Sequence, residues 1–545
     1  MLLWVSLISI PFCNAWFYGR DAPDRWSVGG VFPLPAKIIY GKANRTIHPG
    51  KVGFDLGDKK DCDILRQNAE NYLNKWLFPF PVTVKGSAED FIVTVRVREK
   101  CQDTVPQHGF SEEYKLRVSP GEVTIRADTV YGAIRGMESL SQLIFYDERY
   151  KKYQIRTVEI EDSPRFPVRG IMIDTSRHWL SVKVIKRQLD IMAMNKMNLL
   201  HWHMVDSEAF PYQSKKFPEL HKVGAYTLRH TYSPEEVQDV INYARIRGIR
   251  VMPEFDMPGH TNGWRGREGL LSECFDEEGK PTWQDLIDVT NDTNFNFIEE
   301  FIKEIVDVFP EKFLHLGGDE VEDFVTQCWD RNPKIREFME QKGFGNNTRL
   351  LEDYFFDKLA TRLRRLIEQR TPVFWQEVFD NNEPDPKAII HVWKGNSHEE
   401  IYERVQQITA QGYPVILSAC WYLNYIKYGA DWRDAILGSV PSNSGYYYCD
   451  PQNFTGSQEQ KDLVYGGIAA MWGEFVDNTN IEARFWPRAS AVAERLWSPQ
   501  EKTQNASDAW PRMHELRCRL VARGFRIQPT NYPDYCPYEF DEKAI

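Results

Sequence analysis

Two hydrophobic patterns divide the chain. Between Val31 and Ile160, the runs FIVTVRV (Phe91–Val97), YKLRVS (Tyr114–Ser119) and VTIRA (Val123–Ala127) alternate apolar with polar residues, the period-two signature of half-buried antiparallel strands. Asp128–Tyr146 instead places Ile134, Met137, Leu140 and Ile144 at helical spacing. These elements predict a small α+β domain. Pro164 and Pro167 then bracket Phe166 in a linker, because proline interrupts regular structure on either side.

Beyond the linker, short apolar runs alternate with amphipathic stretches, the pattern of a parallel sheet with crossover helices. Eight such runs recur: RGIMID (Arg169–Asp174), NLLHWHM (Asn198–Met204), RVMPEFD (Arg250–Asp256), KFLHLGGDE (Lys312–Glu320), PVFWQEV (Pro372–Val378), AIIHVW (Ala388–Trp393), PVILSA (Pro414–Ala419) and GIAAMW (Gly467–Trp472). Helices are expected between them at Val182–Met194, Pro234–Arg247 with Ser233 as N-cap, Phe295–Phe309, Leu350–Leu366 and Phe485–Leu496. Eight parallel strands close a barrel, and each run ends in or near polar or aromatic residues, where such a barrel builds its active site. A doubly wound open sheet is the competing architecture, but the GxGxxG turn that would support it is absent. The expected fold class is therefore α/β: a (β/α)8 TIM barrel catalytic domain with a C-terminal helical tail over residues 166–545, preceded by the smaller α+β domain over 16–165.

Residues 1–15 (MLLWVSLISIPFCNA) run apolar from Leu2 to Ile10 and end in Pro11 and the small residues Cys13 and Ala15, which predicts a signal peptide. No other stretch approaches the roughly 18 unbroken apolar residues of a membrane span. Loss of Cys13 leaves eight of the nine cysteines, an even number suited to an oxidising compartment, with their pairing open. Acceptor patterns for N-glycosylation at Asn44, Asn291, Asn346, Asn453 and Asn505 agree with export and would put those loops at the surface. A net charge of −11 argues against a nucleic-acid partner, whose affinity comes mainly from Lys and Arg on phosphates. Seventeen Trp and 25 Tyr in an acidic chain instead suit a neutral partner with flat apolar faces, as sugars have.

The sharpest local chemistry is HLGGDE (His315–Glu320). On a regular strand Asp319 and Glu320 would face opposite sides, but Gly317 and Gly318 can leave the pleat and deliver both carboxylates to one cavity. Two acids so close cannot both ionise cheaply, so one pKa is expected to rise and supply a general acid. The other strand ends add Asp174 with Arg177, His201, His203 with Asp206, Glu254 with Asp256 and His260, Trp375 with Glu377, Trp393, Trp421 with Tyr422 and Asn424, and Trp472 with Glu474. Carboxylates and a guanidinium for hydroxyls, with indole faces for the apolar side of a pyranose, describe a saccharide pocket. A metal reading competes, because His201 and His203 share one strand face and could ligate an ion with His260 and an acid. The apolar run around them, MNLLHWHMV, favours hydrogen-bonded histidines in the barrel interior, so no metal is expected. Neither a Gly-Lys-Ser/Thr phosphate loop nor a GxSxG elbow occurs, which leaves phosphoryl transfer and serine hydrolysis without an anchor.

The motifs RGIMIDTSRHWL, LHWHMVDSEAFPYQS, PEFDMPGHT, LHLGGDEV, FWQEV, WYLN, WGEFVDNTN and WPRASAVAERLWS occur in this order across nearly the whole chain after residue 15. In this they resemble the β-N-acetylhexosaminidases of glycoside hydrolase family 20, especially the animal lysosomal and secreted enzymes. The resemblance implies a retaining exo-hydrolysis that releases terminal β-linked GlcNAc or GalNAc from a glycan, in which the substrate's 2-acetamido oxygen replaces the enzyme nucleophile of the two-carboxylate scheme. It implies Glu320 as general acid and base, Asp319 as the anion that orients the acetamido N–H and stabilises an oxazolinium-like charge, and Tyr422 as donor to the acetamido oxygen. By the same resemblance Arg177, Asn424 and Glu474 hold the outer hydroxyls, Trp375, Trp393 and Trp472 wall the pocket, and Asp206 and His260 support Glu320. It further implies disulfides Cys62–Cys101, Cys274–Cys328 and Cys518–Cys536, leaving Cys420 and Cys449 as a fourth pair. No cofactor, a homodimer, and passage through the secretory pathway to the lysosome or the exterior complete the expectation. One departure stands out: Tyr425 follows Asn424 where the vertebrate subunit that accepts 6-sulfated sugars has Arg. A guanidinium reads sulfate far better than a phenol, which weighs against sulfated substrates, while Asn424 itself resembles that subunit.

Overall fold

The computed structural model describes residues 30–80, 82–101, 104–425, 429–433, 445–530, 535–537 and 539; the expected signal peptide, with Cys13, lies outside them. Seven strands form the N-terminal sheet: β1 (Lys37–Ile47), β2 (Val52–Asp55), β3 (Phe91–Val97), β4 (Tyr114–Val118), β5 (Val123–Ala127), β6 (Ile144–Asp147) and β7 (Lys152–Asp162). Their order is β1-β7-β4-β5-β3-β2, with β6 also on β7. The sheet is mixed, which corrects the antiparallel expectation: β3 runs parallel to both β2 and β5, while β4 is antiparallel to β5 and β7. Alternation reports one buried face, as at Phe91, Val93 and Val95; it does not encode strand direction. The helix against that face is Val130–Leu143, capped by Thr129, and it stops short of the expected end because Ile144 begins β6. Ile144 is buried in either role, so periodicity alone did not separate them.

Eight parallel strands close the barrel: β8 (Val168–Asp174), β9 (Leu199–Val205), β10 (Arg250–Phe255), β11 (Phe313–His315), β12 (Thr371–Trp375), β13 (Ile389–Val392), β14 (Val415–Leu417) and β15 (Val464–Met471). The last pairs with the first, from Gly466 opposite Val168 to Met471 opposite Ile173. Val168, Met172, Leu199, Met252, Val373 and Ile416 fill the lower interior as an apolar cluster. The interior also carries a polar set, His201, His203, Glu254, His315 and His391, all with no solvent exposure. HLGGDE and FWQEV leave strand geometry early, β11 ending at His315 and β12 giving way to the short helix Glu377–Asn381. That early exit frees their acids for the mouth of the barrel.

Among the surrounding helices, Val182–Met194 spans its expected range and Pro234–Ile246 starts on a capping box between Ser233 and Glu236. The stretch expected to be one helix from Phe485 is two, Ile481–Phe485 and Arg488–Trp497, because Pro487 has no N–H to continue the ladder. The tail helix Ala506–Ala522 binds the N-terminal domain, Arg519 donating to the carbonyls of Gln142 and Ile144. Disulfides join Cys62–Cys101, Cys274–Cys328, Cys420–Cys449 and Cys518–Cys536. Asn44, Asn346, Asn453 and Asn505 are exposed, whereas Asn291 is half-buried and caps the helix Asp292–Val308. No described helix is long and apolar enough to cross a membrane.

Candidate active site

The turn after β11 decides the site. Gly317 and Gly318 sit at φ 70° and 94°, and space forbids a side chain at either. A Cβ on Gly317 would lie 1.7 Å from Asp256 Oδ1, and one on Gly318 would lie 2.4 Å from Val378 Cγ2. The turn brings Asp319 and Glu320 to the same imidazole, His260 Nε2 lying 3.8 Å from Asp319 Oδ2 and 3.3 Å from Glu320 Oε2. Their environments differ sharply: Asp319 is 6% exposed, while the Glu320 side chain is 54% exposed. His260 and Glu320 themselves adopt φ 55° and 56°, a region that costs a non-glycine residue about 1 kcal/mol or more and persists only where surrounding contacts impose it.

Charge explains what holds them. Asp206, just past β9, contacts His260 Nδ1 at 3.0 Å, His203 Nε2 at 2.8 Å and Arg177 Nη1 at 2.7 Å. Burial would raise its pKa, but Arg177, His260 and His203 overcome that and hold the carboxyl well below the usual range. For His260 burial works downward, and Asp206 with Asp319 outweighs it, so the imidazole stays protonated well above its usual pKa. Asp319 is pushed up by burial, against the pull of His260 and of a hydrogen bond from Asp256. Asp256 is raised well above the ordinary value by burial and by the Asp319 charge. Asp256 Oδ2 and Asp319 Oδ1 are both buried without another partner, and a proton held on Asp256 and shared with Asp319 satisfies both. Glu320 moves the other way. Contact with the His260 imidazolium lowers its pKa despite partial burial, so the pair does split in pKa, but with the raised member at Asp319 and not at the general-acid candidate.

Opposite these acids stands an aromatic wall. Trp393 stacks on Tyr422 at 5.9 Å between ring centroids, and Trp472 lies 6.0 Å from Trp375 and 6.5 Å from Tyr422. The Trp375 indole N–H donates to Glu254 Oε1 and that of Trp393 to Glu377 Oε2, each at 2.8 Å. Arg177 lies over the Trp472 ring at 4.9 Å while also pairing with Asp174, Asp206 and Glu208. Tyr422 is buried, whereas Glu474 is exposed; Asn424 is half-buried with its Oδ1 lacking a partner. The structure thus gathers Asp206, His260, Asp319, Glu320, Arg177, the three tryptophans and Tyr422 into one constellation, with Asn424 and Glu474 on its margin.

His201 and His203 lie in the barrel interior and share one carboxylate oxygen. His201 Nε2 and His203 Nδ1 meet Glu254 Oε2 at 2.7 and 2.6 Å. His201, Glu254 and His315 have donor atoms within 4.8 Å of one another, close enough to hold an ion. Those atoms are already committed, however, with His315 Nδ1 3.2 Å from Glu254 Oε1.

The profile of the glycosyl hydrolase family 20 catalytic domain matches residues 166–500, and a profile described as beta-acetyl hexosaminidase like matches residues 31–143. The chain belongs to glycosyl hydrolase family 20. It is 69% identical to a protein of Caenorhabditis elegans named beta-hexosaminidase A, over 97% of this chain and 95% of that one. Identity to the human beta-hexosaminidase subunit beta is 45%, over 93% of this chain and 90% of the human one. A solved Flavobacterium johnsoniae chitobiase superimposes with a TM-score of 0.74 at 27% identity, covering 93% of this chain and 74% of that one. This family 20 chain is a glycoside hydrolase built on the expected barrel with a smaller preceding domain.

Three residues of the site had no role assigned from sequence. Asp256 faces Asp319, and burial with the Asp319 charge raises its pKa well above the ordinary value. Glu377 accepts the Glu320 N–H at 3.3 Å and meets Lys394 Nζ at 2.9 Å, and burial pushes its pKa up to about 7. Lys394 in turn helps to lower Glu320. The first two stand in the strand-end runs EFDMPGH and FWQEV, where position was legible but partnership was not. Lys394 follows Trp393 with no motif to mark it.

Proposed function

We propose that this family 20 enzyme releases terminal β-linked GlcNAc or GalNAc from glycans with retention, the substrate's 2-acetamido oxygen attacking the anomeric carbon. Glu320 protonates the departing oxygen as the C–O bond breaks, then takes a proton from the water that opens the oxazolinium-like intermediate. Asp319 accepts the acetamido N–H and offsets the developing positive charge, and Tyr422 donates to the acetamido oxygen to hold it in line. The observation that carries this reading is the contrast between neighbours: Asp319 buried beside Asp256, whose carboxyl burial and the Asp319 charge push up, and Glu320 half-open to solvent beside His260. A buried anion suits a charge that must persist, and an accessible carboxyl suits one that must exchange protons. The names of the nematode and human relatives agree with this substrate class.

Glu320 and His260 function here as a pair holding one proton. It rests on His260; a sugar ring laid over Glu320 would remove water from the carboxylate, raise its pKa and draw that proton across the 3.3 Å gap. Acidic surroundings also suit the fold, because burial pushes Glu352 and Glu377 up to about 8 and about 7, in keeping with a lysosomal or extracellular destination. The same reading includes a homodimer, which sedimentation at micromolar concentration tests.

The deciding experiment compares a chromogenic β-GlcNAc glycoside with the matching β-glucoside, in which hydroxyl replaces acetamido. Loss of most activity on the glucoside is expected; comparable turnover would mean that the protein supplies the nucleophile.

A further inference from the structure

Directly behind the turn that carries Asp319 and Glu320 lies a cavity. It occupies about 490 Å³ between the helix Thr348–Ile367 and the segment that follows β12, a volume in the range of small-molecule sites. Its floor is apolar, formed by Phe356, Leu359, Leu363 and Phe374. Its rim carries Asp353, Asp357, Glu383 and Asp385, none of which forms an ion pair among the described residues. Asp380 alone is neutralised, by Arg404 at 3.3 Å. Asp353 Oδ1 and Asn382 Oδ1 are shielded from solvent and have no hydrogen-bond donor, a cost that a donor seated in the cavity would relieve. Arg349 acts on Asp353 and the Lys387 N–H donates to Asp385, yet the rim keeps an excess of negative charge; above an apolar floor it disfavours anions by repulsion and strongly hydrated metal ions by the cost of shedding water onto a hydrocarbon surface.

We infer that this cavity binds an organic ammonium ion with a compact apolar body, and that its occupancy is sensed by the catalytic turn. The coupling is one of contact. Leu316 lines the cavity and precedes Gly317; Phe356 and Val378, also in its wall, press on Gly318 so closely that a Cβ there would meet them at 3.0 and 2.4 Å. Val378 follows Glu377, which accepts the Glu320 N–H. A body that shifts Phe356 or Val378 therefore moves the backbone carrying Asp319 and Glu320, because packed groups transmit displacement. Binding is independent of the catalytic roles proposed above; the effect on rate rests on them, and separate readouts keep the two apart.

The probe is 1-adamantylammonium chloride, with 1-adamantanol as its neutral isostere, titrated calorimetrically into the full-length protein. The ammonium is expected to bind at least tenfold more tightly than the alcohol, and N-acetylglucosamine should not displace it. Asp353→Asn and Glu383→Gln should each weaken binding several-fold while leaving hydrolysis without the probe unchanged, and Leu363→Trp, which fills the floor, should abolish binding. On a chromogenic β-GlcNAc glycoside the ammonium should alter kcat more than KM. Equal binding of ammonium and alcohol, displacement by N-acetylglucosamine, or binding that survives all three substitutions would each overturn the site. Binding as expected with no change in kcat or KM would overturn the coupling alone.

Discussion

The two halves of the pocket are built in opposite ways. On the acidic side, Asp206, His260, Asp319 and Glu320 hold one another through charge, each pKa depending on its neighbours. On the aromatic side, Trp375, Trp393, Trp472 and Tyr422 hold one another by packing, and the indole N–H groups of Trp375 and Trp393 are anchored on Glu254 and Glu377. A change in the first half alters the protonation of everything it touches, so its effects should be large, pH-dependent and non-additive. A change in the second removes contact area, so its effects should be modest, flat with pH and nearly additive.

The largest expected effect is that of Glu320→Gln. On an unactivated disaccharide kcat should fall about 100- to 10,000-fold, and much less on a p-nitrophenyl glycoside, whose leaving group needs little help from a proton. Equal losses on both would deny Glu320 its role as acid. Next comes the pair behind it: Asp319→Asn should lower kcat about 100- to 1,000-fold. Asp256→Asn should cost less than about tenfold, because an amide can donate as the protonated carboxyl does. If both substitutions proved equally damaging, the proton would be on the wrong member.

His260→Asn tests the shared proton by pH. With the His260 pKa raised well above the usual imidazole value, the proposed pair is expected to keep its proton to high pH, and the alkaline limb of the wild-type kcat/KM should lie high. Without His260, Glu320 titrates alone near the carboxylate range, and the limb should move to lower pH. A limb that stays in place breaks the contrast between the halves. Trp393→Ala samples the other side, with an expected rise in KM of about tenfold, kcat within about threefold, and an unchanged pH profile.

Smallest for the pocket, though measurable in stability, is Glu352→Gln, outside both halves. The Glu352 pKa rises from 4.5 to about 8 on folding through burial. The folded state therefore binds the extra proton, and the stability present below about pH 4.5 is lost as pH climbs through about 8. Urea midpoints at pH 5 and pH 8 should differ less in Glu352→Gln than in the wild type, by on the order of a few kcal/mol in unfolding free energy. An unchanged difference would place the titration elsewhere.

Much of this was legible along the chain. The eight apolar runs each supply a barrel strand, and of the strand-end residues named from them Arg177, Asp206, His260, Asp319 and Glu320 come together, while His201, His203 and Glu254 lie in the barrel interior. Where reading failed, the cause was local ambiguity: Ile144 fits a helix or a strand, and alternation in β3 and β5 says nothing of their parallel pairing. The acids show the deeper limit. That Gly317 and Gly318 would turn the chain could be expected from glycine alone, but not that Asp319 would end buried and Glu320 half-open.

Periodicity, glycine placement and residue type act over a few neighbours, so the sequence by itself determined the eight barrel runs, the barrel and the candidate side chains at the strand ends. Protonation was decided only by the tertiary structure. Asp256, His260 and Lys394 reach Asp319 and Glu320 from other strand ends, and the strength of each interaction depends on how far water is excluded between them, a quantity that exists only once the barrel has closed.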